Sequence, residues 1–317
     1  MSSTLVLGID VAKDTVEIAS RPAQIHGEFA NTRAGHQKLL KALAGHSIQL
    51  IVVEATGGYE RALAAELAQA DYRVVVANPR QVRHFAYGVG ELAKTDPIDA
   101  NTLAFFGEVV KPTPKPTQDP NIESLAELVT RRRQLVGLLT QETNRLPMCR
   151  HIVVRKSVRK MIKTLEHQIK QIDELIQDHI QADDNFQQKN QILRSTPGIG
   201  PKTSSMLLAH VPELGHLNRH QIAALIGLAP YDRRSGTLVR PAHIAGGRQH
   251  VRCALYMATV TARRCNPVIR HFAQRLEAQG KSFKVVITAC MRKLLVILNA
   301  MIREQTPWSA ESITKNS

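Results

Sequence analysis

Ile48–Val53 is a β-branched run with no polar face, and it ends in a carboxylate, Glu54, just before Thr56-Gly57-Gly58. A strand without a polar face must be covered on both sides, which calls for helices packed on either side of a sheet. Tyr72–Ala77 reads as a second strand of this kind, and Arg61–Ala70 between them is a helix of Ala, Leu and Glu. Upstream, Thr4–Ile9 is a short apolar run leading into Asp10. Thr15–Ala19 alternates Val16 and Ile18 with polar neighbours, Ile25–Ala30 is a third strand, and Gly35–Leu43 has a helical pattern. The order β-β-β-α-β-α-β-α predicts an α/β domain over residues 1–110, antiparallel strands first and parallel ones after.

Lys111–Pro120 is Pro-rich, hence stiff and extended, and marks a linker at 111–120. From 121 to 190 the pattern is helical. Ile122, Leu125, Val129, Leu135 and Leu139 recur at mostly three- and four-residue steps, and Leu165, Ile169, Ile172, Ile176 and Ile180 resume the pattern after Pro147. Two long helices are expected, either a hairpin or a coiled coil with a second chain. Residues 191–306 form a mainly α C-terminal domain, with helices at about 203–210, 218–227, 249–263, 267–279 and 283–303. An Arg- and Gly-rich loop at about 230–248 interrupts them, and 307–317 is a tail.

The 317 residues suffice for two domains with cores of their own, at roughly 100–200 residues each. Lys and Arg number 42 against 27 acids, a formal charge of +15, which points to a polyanionic partner. Nucleic acid fits better than a membrane surface. No apolar run approaches the ~18–20 residues of a spanning helix, and Met1–Thr4 carries no export signal, so a cytoplasmic, nucleoid-associated protein is expected. Cys149, Cys253, Cys265 and Cys290 form no C-x-x-C pair, so buried reduced thiols are expected. Aromatic content of 4% argues against a stacking platform as the main binding mode.

Asp10 and Glu54 end separate strands, where ligands of α/β sheets bind. Asp96 and Asp99 in Lys94-Thr-Asp-Pro-Ile-Asp-Ala100 share a helix face. Asp96 before Pro97 also suits an N-cap, and Asp99 then stands at the positive end of the helix dipole. Four such acids on a basic chain favour a Mg²⁺ site, with Mn²⁺ as the alternative ion, clamping a phosphodiester.

Pro197-Gly-Ile-Gly200 resembles a helix-hairpin-helix turn. Gly198 and Gly200 would let the backbone reach a phosphate, with Lys202 assisting. Arg131, Arg132 and Arg133 belong either to a solvated helix face or to a phosphate-binding one. Ser235 stands among Arg233, Arg234 and Arg240. A serine hydroxyl needs activation to attack, and guanidinium groups can hold a phosphate, yet Ser-Gly is also an ordinary turn pair. His243, Arg248 and Arg252 suit phosphate contact. Tyr231 and Tyr256 are the alternative nucleophiles, with Tyr256 expected in the core.

Gly8-Ile-Asp-Val-Ala-Lys13, Glu54-Ala-Thr-Gly57, Asn78-Pro79, Lys94–Ala100, Ser195-Thr-Pro-Gly-Ile-Gly200, Ala254-Leu-Tyr-Met257 and Met291-Arg-Lys-Leu294 together resemble the insertion-sequence one-ten (IS-one-ten) family of DEDD transposases, in order over nearly the whole chain. The resemblance implies a RuvC-like, RNase H-fold N-terminal domain whose tetrad Asp10, Glu54, Asp96 and Asp99 binds metal. It implies a coiled-coil middle and a transposase domain in which Ser235 attacks DNA to form a phosphoserine link. It further implies donor-end and target DNA as substrates, guidance by a structured noncoding bridge RNA, and assembly as a dimer or tetramer. Where some members have a Ser-Lys pair, Ala245-Gly-Gly-Arg248 resembles another branch. A RuvC-like junction nuclease and a non-catalytic nucleic-acid-binding protein are the alternatives.

Overall fold

The computed structural model describes residues 4–91, 96–114, 119–235 and 238–310, and for 96–97, 232–235 and 238–242 the backbone alone. Lys94, Thr95 and residues 115–118 of the linker therefore lie outside the described residues. The chain divides into two compact units, 1–117 and 118–317.

The first unit is built on a five-stranded sheet in the order β3-β2-β1-β4-β5. The strands are β1 (Leu5–Val11), β2 (Thr15–Arg21), β3 (His26–Ala30), β4 (Ile48–Glu54) and β5 (Val74–Ala77). β1, β2 and β3 pair antiparallel, while β4 runs parallel to both β1 and β5. Helices α1 (Arg33–Leu43) and α2 (Arg61–Gln69) supply Leu39, Leu43, Leu63 and Leu67 to one buried cluster with Leu7, Ile9, Ile51 and Val53. Helices α3 (Pro79–Gly88) and α4 (Asp96–Val110) supply Val82, Leu103 and Phe106 to a second cluster with Val6, Leu50 and Val52. The alternation along β1 and β4 thus sends successive residues to opposite faces, both covered. Two helices follow β5 where the sequence pattern gave one. Asn78 caps the first of them, its side chain accepting from the Arg80 amide, with Pro79 at the first helical position.

The second unit is mainly helical. α5 (Pro120–Arg145) and α6 (Ile152–Gln181), joined by a 3-10 turn at Leu146–Met148, form an antiparallel pair. Asn121 meets His179 and Asp183 near its base, and Arg132 grips Asp173 through two nitrogens farther along. α7 (Asp184–Arg194), α8 (Pro201–His210) and α9 (Arg219–Ile226) follow, then α10 (Gln249–Cys265), α11 (Pro267–Ala278) and α12 (Phe283–Glu304). Leu125, Val129, Ile176 and Ile180 of the helical pair join one continuous core with Leu207, Ile222, Leu255, Ile269 and Leu294.

Further expectations change. The segment expected to be a loop at 230–248 contains a two-stranded hairpin, β6 (Pro230–Ser235) and β7 (Leu238–Ile244). α12 is long and apolar enough to cross a membrane, although no such run was expected. Its most apolar stretch is 61% buried within the protein, as befits a core helix. Tyr256 is 39% exposed rather than core. The four cysteines are free, and Cys290 is buried as expected, its thiol pushed up to about 11 by desolvation. Against the expectation of burial, Cys253 and Cys265 are exposed and Cys149 is half-buried.

Candidate active site

In the first unit the register of the parallel strands decides where the acids go. Ile9 pairs with Val53, so Asp10 and Glu54 occupy the next rung at the carboxyl ends of adjacent strands. Ile9 and Val53 share one buried cluster, so period-two alternation turns Asp10 and Glu54 to the other face. That is the face covered by α4. Both carboxylates are half-buried.

Two glycines set how α4 lies across this face. A Cβ on Gly8 would collide with the Ala100 carbonyl oxygen and the Ala104 amide nitrogen, so the helix backbone rests directly on β1 there. A Cβ on Gly107, two turns farther along α4, would lie 2.7 Å from methyl groups of both Val6 and Val52. The helix therefore runs from the middle of β1 and β4 toward their carboxyl ends as it is followed back to its N-terminus. Asp96 and Asp99 stand in that first turn. Asp99 is half-buried, and the Asp96 side chain lies outside the described residues. The fold thus turns the first turn of α4, which carries Asp96 and Asp99, toward the strand ends that carry Asp10 and Glu54. All four are hard oxygen donors of the kind Mg²⁺ prefers. Among the described residues, no three His, Cys, Asp or Glu side chains are grouped closely enough to hold an ion.

The loops that leave the two strands are bolted together by residues the sequence did not single out. Asn31 Nδ2 donates to the Ala12 carbonyl at 2.8 Å and to the Tyr59 carbonyl at 3.3 Å, joining the loop after Asp10 to the loop after Glu54. Asn31 Oδ1 lies 2.9 Å from His36 Nε2, and the other ring nitrogen of this buried histidine lies 3.3 Å from Glu66. Glu60 is 93% buried, its exposure being 7%, and its Oε2 accepts from the amides of Gly58 at 2.8 Å and Thr56 at 3.1 Å. A carboxylate thereby holds the glycine turn that follows Glu54. The one legible signal was an acid just after Thr56-Gly57-Gly58, which is too common a pattern to stand out.

In the second unit, Ser235 is the last residue of β6 and pairs with Leu238, so it sits at the tip of the hairpin. Arg234 pairs with Val239 and Arg233 with Arg240. The side chains of Ser235, Arg233, Arg234 and Arg240 lie outside the described residues. At the foot of the hairpin Tyr231 faces His243 across the ladder, and both are exposed.

Other residues singled out for nucleic acid have partners within the protein. Arg248 forks onto Glu213 at 2.6 and 2.7 Å and also donates to the His210 carbonyl. Arg252 Nη1 donates to the carbonyls of Gly246 at 2.6 Å, Ile226 at 3.2 Å and Gly227 at 3.4 Å, fastening the stretch before α10 to the end of α9. Gly198 has φ +102°, and a Cβ there would lie 2.7 Å from that of Ala262, so its bare Cα accommodates α10. Gly200 opens α8 beside open space, and Lys202 is exposed. Of the α5 arginines, Arg132 grips Asp173, while Arg131 and Arg133 are exposed. The His210 and His250 rings pack edge to face at 4.6 Å. Burial, then His250, Arg133 and Arg248, lowers His210 to about 4. Burial, then Arg133 and Arg248, lowers His250 too. The pair is neutral at ordinary pH, so it contributes no positive charge toward a phosphate.

Residues 7–149 match the DEDD transposase domain of the IS110 type, described as "Transposase". Residues 190–274 match a family described as "Transposase IS116/IS110/IS902 family". Two curated relatives align along nearly their whole length. The "Pilin gene-inverting protein" of Moraxella bovis is 30% identical over 320 residues, covering 97% of this chain and 98% of the relative. Its namesake in Moraxella lacunata is 30% identical over 319 residues with the same coverage.

Proposed function

Because the chain belongs to the IS110-type transposase family, whose members act on DNA by strand transfer, we propose that it cuts and rejoins donor and target DNA through a phosphoserine intermediate. The observation that carries this reading is the seating of α4 on Gly8 and Gly107, which sends Asp96 and Asp99 toward the strand ends bearing Asp10 and Glu54. A DEDD domain implies dependence on a divalent metal, and Asp10, Glu54, Asp96 and Asp99 would hold Mg²⁺, which supplies Lewis acidity to a phosphodiester oxygen.

Ser235 Oγ attacks phosphorus. The new O–P bond forms as the bond to the deoxyribose oxygen breaks, and that oxygen leaves with the serine's proton. A hydroxyl from another strand then attacks the phosphoserine, restoring a phosphodiester and the serine. One ester replaces another at each step, so no outside energy source is needed. Such conservation suits inversion, the act for which the Moraxella relatives are named. Arg233, Arg234 and Arg240 would neutralise the phosphate as charge develops. A noncoding RNA pairing with both DNAs would choose the sequences, and two or four copies would assemble so that each tetrad meets a serine.

A covalent-adduct assay with element-end and target DNA, Mg²⁺ and the RNA transcribed beside the gene tests this reading. The expected result is a DNA-linked band that vanishes in Ser235→Ala and in Asp10→Ala. Cleavage without an adduct, equal in wild type and Ser235→Ala, would instead establish hydrolysis by a RuvC-like nuclease.

A further inference from the structure

Beside the foot of the β6–β7 hairpin lies a groove of about 1180 Å³. Pro230, His243 and Ile244, from the two ends of the hairpin, form part of its lining. The partly uncovered side of α12 contributes Val285, Ala289, Val296 and Ala300, and Phe272 and Trp308 add two aromatic rings, each half-buried. The ionisable lining is one-sided. Arg219, Lys284, Arg292 and Lys293 face a single carboxylate, Glu304, among the described lining residues. Lys293 Nζ stands 5.0 Å over the Phe272 ring, and burial, then Arg275, lowers its pKa.

An apolar floor with aromatic rings and a cationic surround is the pairing by which proteins hold single-stranded nucleic acid, bases on the rings and phosphates on the cations. The volume exceeds the roughly 300–1,000 Å³ of a small-molecule site and suits several nucleotides. A second copy of this chain is a poor match by charge. Residues 118–317 hold 30 basic and 15 acidic side chains, so a copy would bring more positive charge to a positive groove.

We propose that this groove binds unpaired DNA nucleotides beside the hairpin that carries Ser235, with bases against Phe272 and Trp308 and phosphates on Arg219, Lys284, Arg292 and Lys293. The inference rests on the reading of the chain as a recombinase whose DNA is opened by pairing with RNA and cut at Ser235 of the hairpin. It adds a place for the opened strand.

Trp308 is the one tryptophan of the chain, so its emission reports on the groove alone. The full-length protein is titrated with a ten-nucleotide oligothymidylate and with a blunt ten-base-pair duplex, following tryptophan emission and the anisotropy of labelled DNA. The single strand is expected to quench emission saturably and the duplex to leave it unchanged. Arg292→Ala with Lys293→Ala should weaken single-strand binding about tenfold or more, as should Trp308→Ala, given roughly 1–3 kcal/mol per stacked base. Circular dichroism checks that each variant folds, and the double variant serves if Trp308→Ala does not. Single-strand binding by anisotropy with unchanged emission and no loss in the double variant would overturn the proposal. So would emission that changes with protein concentration alone, which would assign the groove to a second copy. Ser235→Ala keeps the quenching. Quenching without any adduct in the wild type would sink the recombinase reading alone, and an adduct without quenching would sink the groove alone.

Discussion

At the scale of single residues, the acids and their supports differ in how openly the chain declares them. Asp10 and Glu54 are legible because each closes an apolar run, and the carboxyl end of a strand is where α/β sheets present ligands. Asn31 is not legible, since its partners are the carbonyls of Ala12 and Tyr59, and only the folded loops bring these together. Asn31→Ala removes the donor that ties the loop after Asp10 to the loop after Glu54. Outer residues that orient a metal site typically cost 10–100-fold in metal affinity or activity when lost. We therefore expect strand cleavage by Asn31→Ala to need a higher Mg²⁺ concentration and to run about 10–100-fold slower at a fixed low concentration. A Mg²⁺ titration of the cleavage rate measures both. An unchanged midpoint would show that the loops keep their places without the bolt.

At the scale of elements, the sheet and most helices follow from patterns the chain displays openly: two-residue alternation in β2, unbroken apolar runs in β4 and β5, and caps such as Asn78 before Pro79. The β6–β7 hairpin was legible only as a turn at Ser235-Gly236 inside a segment read as loop, because its strands pair only with each other. Pro-Tyr-Asp-Arg-Arg-Ser shows no apolar alternation in sequence. The extent of α12 was legible, but its span-like apolarity escaped because Arg292 and Lys293 interrupt its apolar run, although both line the groove on its less buried side. Tyr256 misled because an apolar neighbourhood in sequence is not a buried position on a helix. The seating of α4 was legible only as a glycine two residues before Asp10. Gly8→Ala puts a methyl group into the backbone of α4, and overpacking of this kind costs about 1–3 kcal/mol. Lower thermal stability and a loss of strand cleavage are expected together, because the first turn of α4 carries Asp96 and Asp99. Gly88→Ala, at the end of α3 with nothing within 4 Å, should be neutral or slightly stabilising. Equal melting temperatures for the two variants would contradict the close packing at Gly8.

At the scale of the whole molecule, the charge that pointed to nucleic acid is unevenly placed. Residues 1–117 carry 12 basic and 12 acidic side chains, so the entire formal excess of +15 falls on residues 118–317. The excess positive charge and the proposed carboxylate site therefore fall in different units, which composition summed over the chain conceals. Residues 155–163 of α6 hold five basic side chains and no acidic one, and among them Arg155, Arg159 and Lys163 recur every fourth residue, with Arg159 and Lys163 exposed. That spacing places them along one helix face, suited to successive phosphates. Each phosphate contact with duplex DNA steepens the fall of log K with log salt by about 0.9. Replacing Arg155, Arg159 and Lys163 by alanine should flatten the slope for binding of element-end duplex by about two to three units, whereas Asp10→Asn with Glu54→Gln should leave it nearly unchanged. Filter binding or anisotropy from low to moderate salt gives both slopes. If the triple variant keeps the wild-type slope, these cations are solvated surface and the contacts lie elsewhere on the basic unit. If the carboxylate variant instead changes the slope as much, the neutral unit contributes to phosphate binding and the division of labour fails.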